Sequence, residues 1–499
     1  MSTIGSSEAT APFVLALDLG TSSIRAMLFD SVGRAVEGMT VRHPHEVRTT
    51  SAGASEADPD AMVERVWRCI DELLELAGPL SGSIGGVGAC TFVTNFLGID
   101  GDGDAITPCY TYADTRAAAD AATLRDDLDE EIVHQRTGCL IHTSYLPARF
   151  RWLDRTHPEL LDRAERWVSI GEYMELKLFG ETRVSTSVAS WTGLLDRERL
   201  VWDQPLLDKL PVEEGQLSPL VDVHDGRTGL RPPFAERWPA LRDVPWFPAA
   251  GDGATANVGS GCVTPERIAL TVGTTSAVRA VVTESPERVP NGLWCYRVDD
   301  RRSLPGGALT EGGNVFAWLT ETLDLPEVVA VDGVLAEMEP DSHNLTVLPF
   351  LAGERSPGWV GDARATLHGL SLATTPVEIL RAGMEAVAYR IGLIFKLMHP
   401  LLADEVQVIT SGGALRNSST WAQIMADVLG HPVILSEVGE ASARGTVLLT
   451  LEALGELEDL KEAPAFLGQS VQPSPDHHER YREAMARQQA LYNKLVHRD

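Results

Sequence analysis

Short apolar runs of strand type alternate along this chain with longer stretches of helical period. Residues 14–17 and 24–29 are two such runs, separated by the turn formers Asp18, Gly20, Thr21, Ser22 and Ser23, and the spacing predicts a β-hairpin. Residues 35–41 supply a third strand. Asp58-Pro59 then opens a helix, with Asp58 as N-cap and Pro59 at the first helical position. Val63, Val66, Trp67, Ile70, Leu73 and Leu74 recur at helical spacing until Gly78-Pro79 ends the run. A further strand and turn follow over 87–100. Three strands, a helix and a strand in that order predict an α/β layer.

The second half repeats the opening. Leu270-Thr-Val-Gly-Thr-Thr-Ser-Ala-Val-Arg-Ala-Val-Val282 carries Gly273, Thr274, Ser276 and Arg279 where the first hairpin has Gly20, Thr21, Ser23 and Arg25. One extra residue separates Ser from Arg, and Thr271 takes the place of Asp18. Such recurrence predicts two related domains facing each other across a cleft, at 12–248 and 249–499. Further on, Thr375-Pro376-Val377-Glu378 is a capping box that opens a helix to about residue 399. A buried-type strand over 406–411 runs into Gly412-Gly413. A helix over 421–429, a strand over 433–436, a helix through 454 and a last helix capped by Ser474-Pro475 complete the pattern. The acidic run 126–131 reads as a solvated helix face. Residues 211–246 lack a clear period and read as connecting loops.

At 499 residues the chain has room for two or three cores. Its formal charge of −29 excludes nucleic acid and an anionic membrane surface as expected partners. An anionic ligand such as ATP must then meet a local positive field. Residues 1–11 have neither the basic nor the apolar region of a signal peptide, and no apolar stretch is long enough to span a bilayer. The six cysteines lack metal-ligand spacing. They read as reduced core thiols of a cytoplasmic protein, with no structural zinc. His477 and His478 are adjacent and therefore diverge.

The first hairpin carries the clearest chemistry. A tight Gly-bearing turn exposes N–H groups that attract anions. Thr21, Ser22 and Ser23 add hydroxyls and Arg25 a cation, while Asp18 offers the kind of carboxylate a magnesium ion prefers. These residues fit a clamp for a nucleotide triphosphate, and they also fit a plain hairpin with a polar turn. Asp252 lies between Gly251 and Gly253, where nothing bulky keeps a ligand away; an ordinary N-cap accounts for it equally. Tyr112, Asp114 and Arg116 suit a polyhydroxylated ligand, or an Asp–Arg pair at the helix expected from Ala117. His142 reads as a hydrogen-bonded structural residue. The turn at Gly412-Gly413 would let a flat ring lie against backbone.

Taken together, Asp18-Leu-Gly-Thr-Ser-Ser, Gly251-Asp252-Gly253, Val272-Gly-Thr-Thr-Ser276, Gly353-Glu-Arg-Ser-Pro-Gly-Trp359 and Gly412-Gly-Ala resemble the FGGY carbohydrate kinases, in order and over nearly the whole chain. Within that family Tyr112-Ala-Asp-Thr-Arg116, Thr137-Gly-Cys-Leu-Ile-His142 and Leu270-Thr-Val-Gly-Thr-Thr-Ser-Ala-Val-Arg279 look most like the gluconokinases. The resemblance implies two ribonuclease-H-like domains of the actin and hexokinase type, with ATP and sugar in the cleft. It implies Asp252 as catalytic base and Asp18 as the magnesium residue. Gly20, Thr21, Ser22, Arg25, Gly273 and Thr274 would line the phosphates. Gly312, Gly313, Gly412, Gly413 and Asn417 would border the nucleotide. Val93, Thr94 and Asp114 would face the sugar, and Arg116 or Arg149 would meet the carboxylate of an acidic one. Val93-Thr94 replaces a more usual Met-His pair, and Tyr112 a more usual Trp, both on the sugar side. The expected reaction is transfer of the ATP γ-phosphoryl group to a primary hydroxyl of gluconate or a related sugar acid. A pentulose or polyol kinase is the alternative within the class; an actin-like ATPase or a sugar sensor is the alternative outside it. A homodimer is left open.

Overall fold

The computed structural model describes residues 2–325 and 328–496; the last three residues of the expected second domain lie outside these. Two sheets carry the fold. The first has six strands in the order Thr3–Ile4, Ala35–Pro44, Ser23–Phe29, Phe13–Leu19, Ile84–Thr91 and Ala250–Gly251. The second has seven, in the order Trp294–Arg297, Ser303–Leu309, Ser276–Ala280, Arg267–Val272, Gln407–Ser411, Val433–Ser436 and Leu467–Val471. Without Thr3–Ile4 in the first and Trp294–Arg297 and Leu467–Val471 in the second, both reduce to one five-stranded pattern. An antiparallel meander of three strands is followed, on the far side of its first strand, by two parallel strands. The repeat seen in the hairpins is therefore a repeat of whole domains, and the chain is an α/β protein built from two ribonuclease-H-like units.

Each sheet buries one face beneath its own helix. Leu15, Leu17 and Leu28 pack with Val66, Ile70 and Leu73 of Pro59–Ala77, and Leu270 and Val278 pack with Val387 and Ile391 of Pro376–Met398. The opposite faces share a third core, in which Val14, Ala16 and Met27 of the first sheet join Ala277 and Tyr296 of the second. Two helices cross within it, Asp252–Gly259 and Ala441–Leu454. They touch backbone to backbone: a Cβ on Gly259 would lie 1.9 Å from the Ala441 carbonyl oxygen, and one on Gly445 would lie 1.8 Å from that of Thr255. Arg444 fastens the crossing by donating to the carbonyls of Gly33, Gly259 and Pro464.

The helix starts follow the cap chemistry. Asp58 accepts from the Ala61 N–H, Ser474 caps Pro475–Leu495, and Thr375 and Glu378 form their reciprocal box. The run 126–131 does not form a single helix face. Ala118–Asp127 ends there, and Asp129 caps a new helix, Glu130–Thr137. Residues 211–246 hold Leu220–Val221 and Pro232–Arg237, elements too short to show a period. All six cysteines are free and buried. Among the described residues no helix is long and apolar enough to cross a membrane.

Candidate active site

The strand Ile84–Thr91 holds the site's two carboxylates near each other. Asp18 is in register with Cys90 on one side of this strand, and Ala250 with the same Cys90 on the other. Asp252 follows as the first residue of its helix, with Gly251 rather than Asp252 in the capping position. Its Oδ1 accepts from the Gly253 N–H at 2.7 Å. Burial, and then the charge of Asp18, push the Asp252 carboxyl up to about 6; Arg279 and the Gly253 N–H oppose them. Asp18 is also buried, which raises its pKa against the pull of Arg25. Arg25 pairs with Asp18 at 3.2 Å and with Glu440 at 2.7 Å.

Two desolvated carboxylates, one of them raised by the other's charge, form a site that gains from a hard cation. Asp18 has the right chemistry for it, and with so few protein oxygens the remaining ligands would be water and phosphate. Two other carboxylate–histidine groups, His224/Asp299/Glu452 and Asp341/His343/Glu385, are each paired with an arginine instead, Arg302 and Arg381 respectively.

The two hairpin turns expose their hydroxyls. In the first, the Gly20 N–H donates to the Ser23 carbonyl; Ser22 is exposed and Thr21 half-buried. Ser23 turns inward and accepts from Arg42, so it is withdrawn from the expected set of anion donors. In the second, the Gly273 N–H donates to the Thr275 carbonyl and Thr274 is exposed. Gly312 and Gly313 press on this turn, the Gly313 N–H donating to the Gly273 carbonyl at 2.7 Å. Gly412 has φ +102°, and a Cβ there would stand 2.4 Å from the Val272 carbonyl oxygen. The Asn417 amide lies beside Gly413. The second-half glycines and Asn417 therefore gather at one end of the strands of the second sheet.

The two hairpin arginines are not equivalent in register. Arg25 pairs with Asp18, one place from the turn, whereas Arg279 pairs with Ala269, three places from it. The extra residue and a turn shorter by one add to a shift of two, which preserves the side of the sheet on which the side chain emerges.

Of the residues expected to face the sugar, Val93 lies against Gly251, and Thr94 is buried with φ +56°. Arg149 is buried too. Its three guanidinium nitrogens donate to the carbonyls of Thr143, Thr94 and Thr111. Asp114 accepts from the Ser55 N–H and from Arg116, which also pairs with Glu56 and stacks on Trp152. Both cations expected to meet a substrate carboxylate thus have protein partners. His142 bonds Ser144, and burial followed by the charges of Arg355, Arg125 and Arg149 lowers its pKa to about 3.

Trp191, Arg279 and Arg355 form part of this surround without a role having been read for them in the sequence. Trp191 stacks on Tyr296 at 3.7 Å, and the Tyr296 hydroxyl meets that of Tyr145. The sequence signals for Arg279 are its place in the repeated hairpin and in the stretch Leu270–Arg279 that looks like the gluconokinases.

A paired ribonuclease-H-like fold with acidic groups where its halves meet defines the ATP-binding class that holds both sugar kinases and actin-like ATPases. The profile of the FGGY family of carbohydrate kinases, N-terminal domain, matches residues 13–259, and that of the C-terminal domain matches residues 268–454. The chain belongs to the FGGY family of carbohydrate kinases, enzymes that use ATP to phosphorylate an alcohol group of a sugar. It is 26% identical over 486 residues to a gluconokinase of Bacillus subtilis, covering 95% of this chain and 94% of that one. Two solved structures from Lactobacillus acidophilus are similar at 25% identity, each covering 97% of this chain and 98% of the other. They are a ligand-bound xylulose kinase with TM-score 0.91 and a gluconate kinase with TM-score 0.90.

Proposed function

We propose that this kinase transfers the γ-phosphoryl group of ATP to a primary hydroxyl of gluconate or a closely related open-chain sugar acid, with Asp252 as the general base. The observation that carries the reading is the setting of Asp252. It is a buried carboxylate between two glycines, at a helix start, with a pKa of about 6. Such a group is ionised at neutral pH and basic enough to accept the hydroxyl proton as the phosphoryl group moves, a contribution of roughly 10²–10⁴-fold. Phosphoryl transfer otherwise rests on positioning and charge neutralisation. In this proposal Gly20, Thr21, Ser22, Gly273 and Thr274 meet the phosphates, and Arg25 reaches them by exchanging a carboxylate partner. Gly312, Gly313, Gly412, Gly413 and Asn417 border the nucleotide. Asp18 holds Mg²⁺, which when bound offsets phosphate charge. Val93, Thr94 and Asp114 line the acceptor, supported by Arg116 and Arg149. The working division of the chain is 12–248 and 249–499.

Gluconate is favoured because gluconate-phosphorylating relatives match over nearly the full length. The xylulose kinase neighbour, together with Val93-Thr94 on the sugar side, supports a pentulose as the second reading. A coupled ADP-release assay over sugar acids, pentuloses and polyols decides between them. Gluconate with the highest kcat/KM supports the first reading, a pentulose at the top replaces it with the second, and no acceptor-dependent ADP release overturns both.

A further inference from the structure

Gly251 and Gly253 bracket Asp252, and beside each lies a nitrogen donor with nothing to donate to. Trp191 Nε1 lies 2.8 Å from where a Cβ on Gly251 would be, and Arg279 Nε lies 3.4 Å from the same point on Gly253. Both atoms are buried and neither has a hydrogen-bond partner. Arg355 Nε is a third buried orphan, its guanidinium 5.8 Å from the centre of the Trp359 ring. Among the described residues Arg279 and Arg355 make no ion pair, although most buried arginines in this chain have a carboxylate or several carbonyls.

Buried donors are normally satisfied, and a buried charge without a counter-charge is costly. Here burial, followed by other influences that include the nearby charge of Arg355, holds Arg279 below the ordinary arginine range; Asp252 and Tyr296 pull the other way. Two guanidinium groups near enough to repel, with Asp252 as the one carboxylate acting on Arg279, leave a local positive field inside a protein of net charge −29. Arg116 and Arg149 are already engaged, Arg116 with the carboxylates of Asp114 and Glu56 and all three Arg149 side-chain nitrogens with carbonyls. An incoming anion with several acceptor lone pairs would satisfy all three donors.

We propose that Arg279, backed by Arg355 and Trp191 Nε1, forms the subsite for the acceptor's carboxylate and so makes this kinase selective for sugar acids over neutral sugars. The assignment rests on the reading of the chain as a sugar-acid kinase. A carboxylate accepts a planar fork and one further N–H, which a hydroxymethyl group in the same place does not do. The position also explains why Arg279 stands two places farther from its turn than Arg25. Arg25 belongs with Asp18 and the phosphates, while Arg279 is brought alongside Asp252.

The test compares gluconate with glucitol, which has a hydroxymethyl group in place of the carboxylate. In wild type and in Arg279→Met, kcat/KM is measured for both acceptors on the same protein sample, so that any unfolded fraction cancels in the ratio. The preference for gluconate over glucitol is expected to fall by roughly 10–100-fold in Arg279→Met, chiefly through the gluconate KM, and to recover in part in Arg279→Lys. Arg355→Met is expected to lower the same ratio by a smaller factor. If wild type prefers gluconate and Arg279→Met keeps that preference, the subsite assignment is wrong while the sugar-acid reading stands. If Arg279→Met slows both acceptors equally and shifts the pH profile, Arg279 is a positioning residue for Asp252 and the assignment is again wrong. If wild type itself prefers neutral acceptors, the sugar-acid reading falls and this assignment with it.

Discussion

Asp18 and Asp252 reach the same end of one sheet because Cys90 is in register with Asp18 on one side and with Ala250 on the other. After burial, the charge of Asp18 is the largest influence raising the pKa of Asp252. The pair is therefore costly to the protein without its ligands and useful once a cation or a transferred proton arrives.

Asp252→Asn is expected to lower kcat/KM for sugar phosphorylation by roughly 10²–10⁴-fold while leaving ATP affinity nearly unchanged, as measured by calorimetric titration. The same variant is expected to melt higher. A carboxyl raised from 3.8 to about 6 on folding disfavours the folded state wherever the group is ionised in the unfolded chain. The gain, on the order of 3 kcal/mol, is therefore full above pH 6 and vanishes as the pH falls towards 4. Near-wild-type turnover would remove Asp252 from the role of base.

The pH profile follows from the same group with the opposite sign. A base works only when ionised, so kcat/KM is expected to be flat at neutral pH and to fall tenfold per pH unit on the acid side. The limb should lie at or below about 6, the pKa of the unliganded carboxyl; a cation at Asp18 moves it down. A neutral acceptor should show the limb at the same place, since the substrate carboxylate is not what titrates. A limb present only with acidic acceptors would contradict this.

How much of this was legible beforehand depends on how local each feature is. The hairpins, the caps at Asp58, Thr375 and Ser474, and the duplicated domain order are all written in neighbouring residues, and the structure has them. Ser23 and Arg42 meet across adjacent strands, and no short motif announces that contact. The environment of Arg279 depends on Trp191, Gly253 and Arg355, which are far apart in the chain and meet only when the two halves fold together. Spacing rules identify residue types that can bind a carboxylate, but not which cations have already found partners. That distinction separates Arg116 and Arg149 from Arg279.

Arg149 is expected to matter for stability before selectivity. Its guanidinium carries the carbonyls of Thr94, Thr111 and Thr143, and Thr94 is held with a positive φ that its residue type disfavours. Arg149→Met strands three acceptors in the interior, and the loss by denaturant unfolding should be on the order of 3 kcal/mol or more. The KM values of gluconate and glucitol should rise together, because the loop bearing Thr94 relaxes for both. A selective loss of gluconate would instead give Arg149 a direct contact with the acid.

Gly412 tests the nucleotide side alone. The chain passes it at φ +102°, where any L side chain is strained, and a Cβ would stand 2.4 Å from the Val272 carbonyl oxygen. Neither atom belongs to a flexible side chain, so Gly412→Ala must push Gln407–Ser411 away from Arg267–Val272 or re-aim the turn after it. That turn opens the short helix Gly413–Asn417, and with it the border proposed for the nucleotide. The KM for ATP is expected to rise at least about tenfold, equivalent to 1.4 kcal/mol of lost binding, with the acceptor KM moving little. Acceptor affinity should hold because Asp18 lies on the other sheet, Asp252 on a helix between the two, and Arg279, although on the same sheet as Gly412, pairs with Ala269, three places back from Val272. Equal loss on both substrates would mean that the strain spreads through the shared core, and unchanged ATP kinetics would take the Gly412-Gly413 turn out of the nucleotide site.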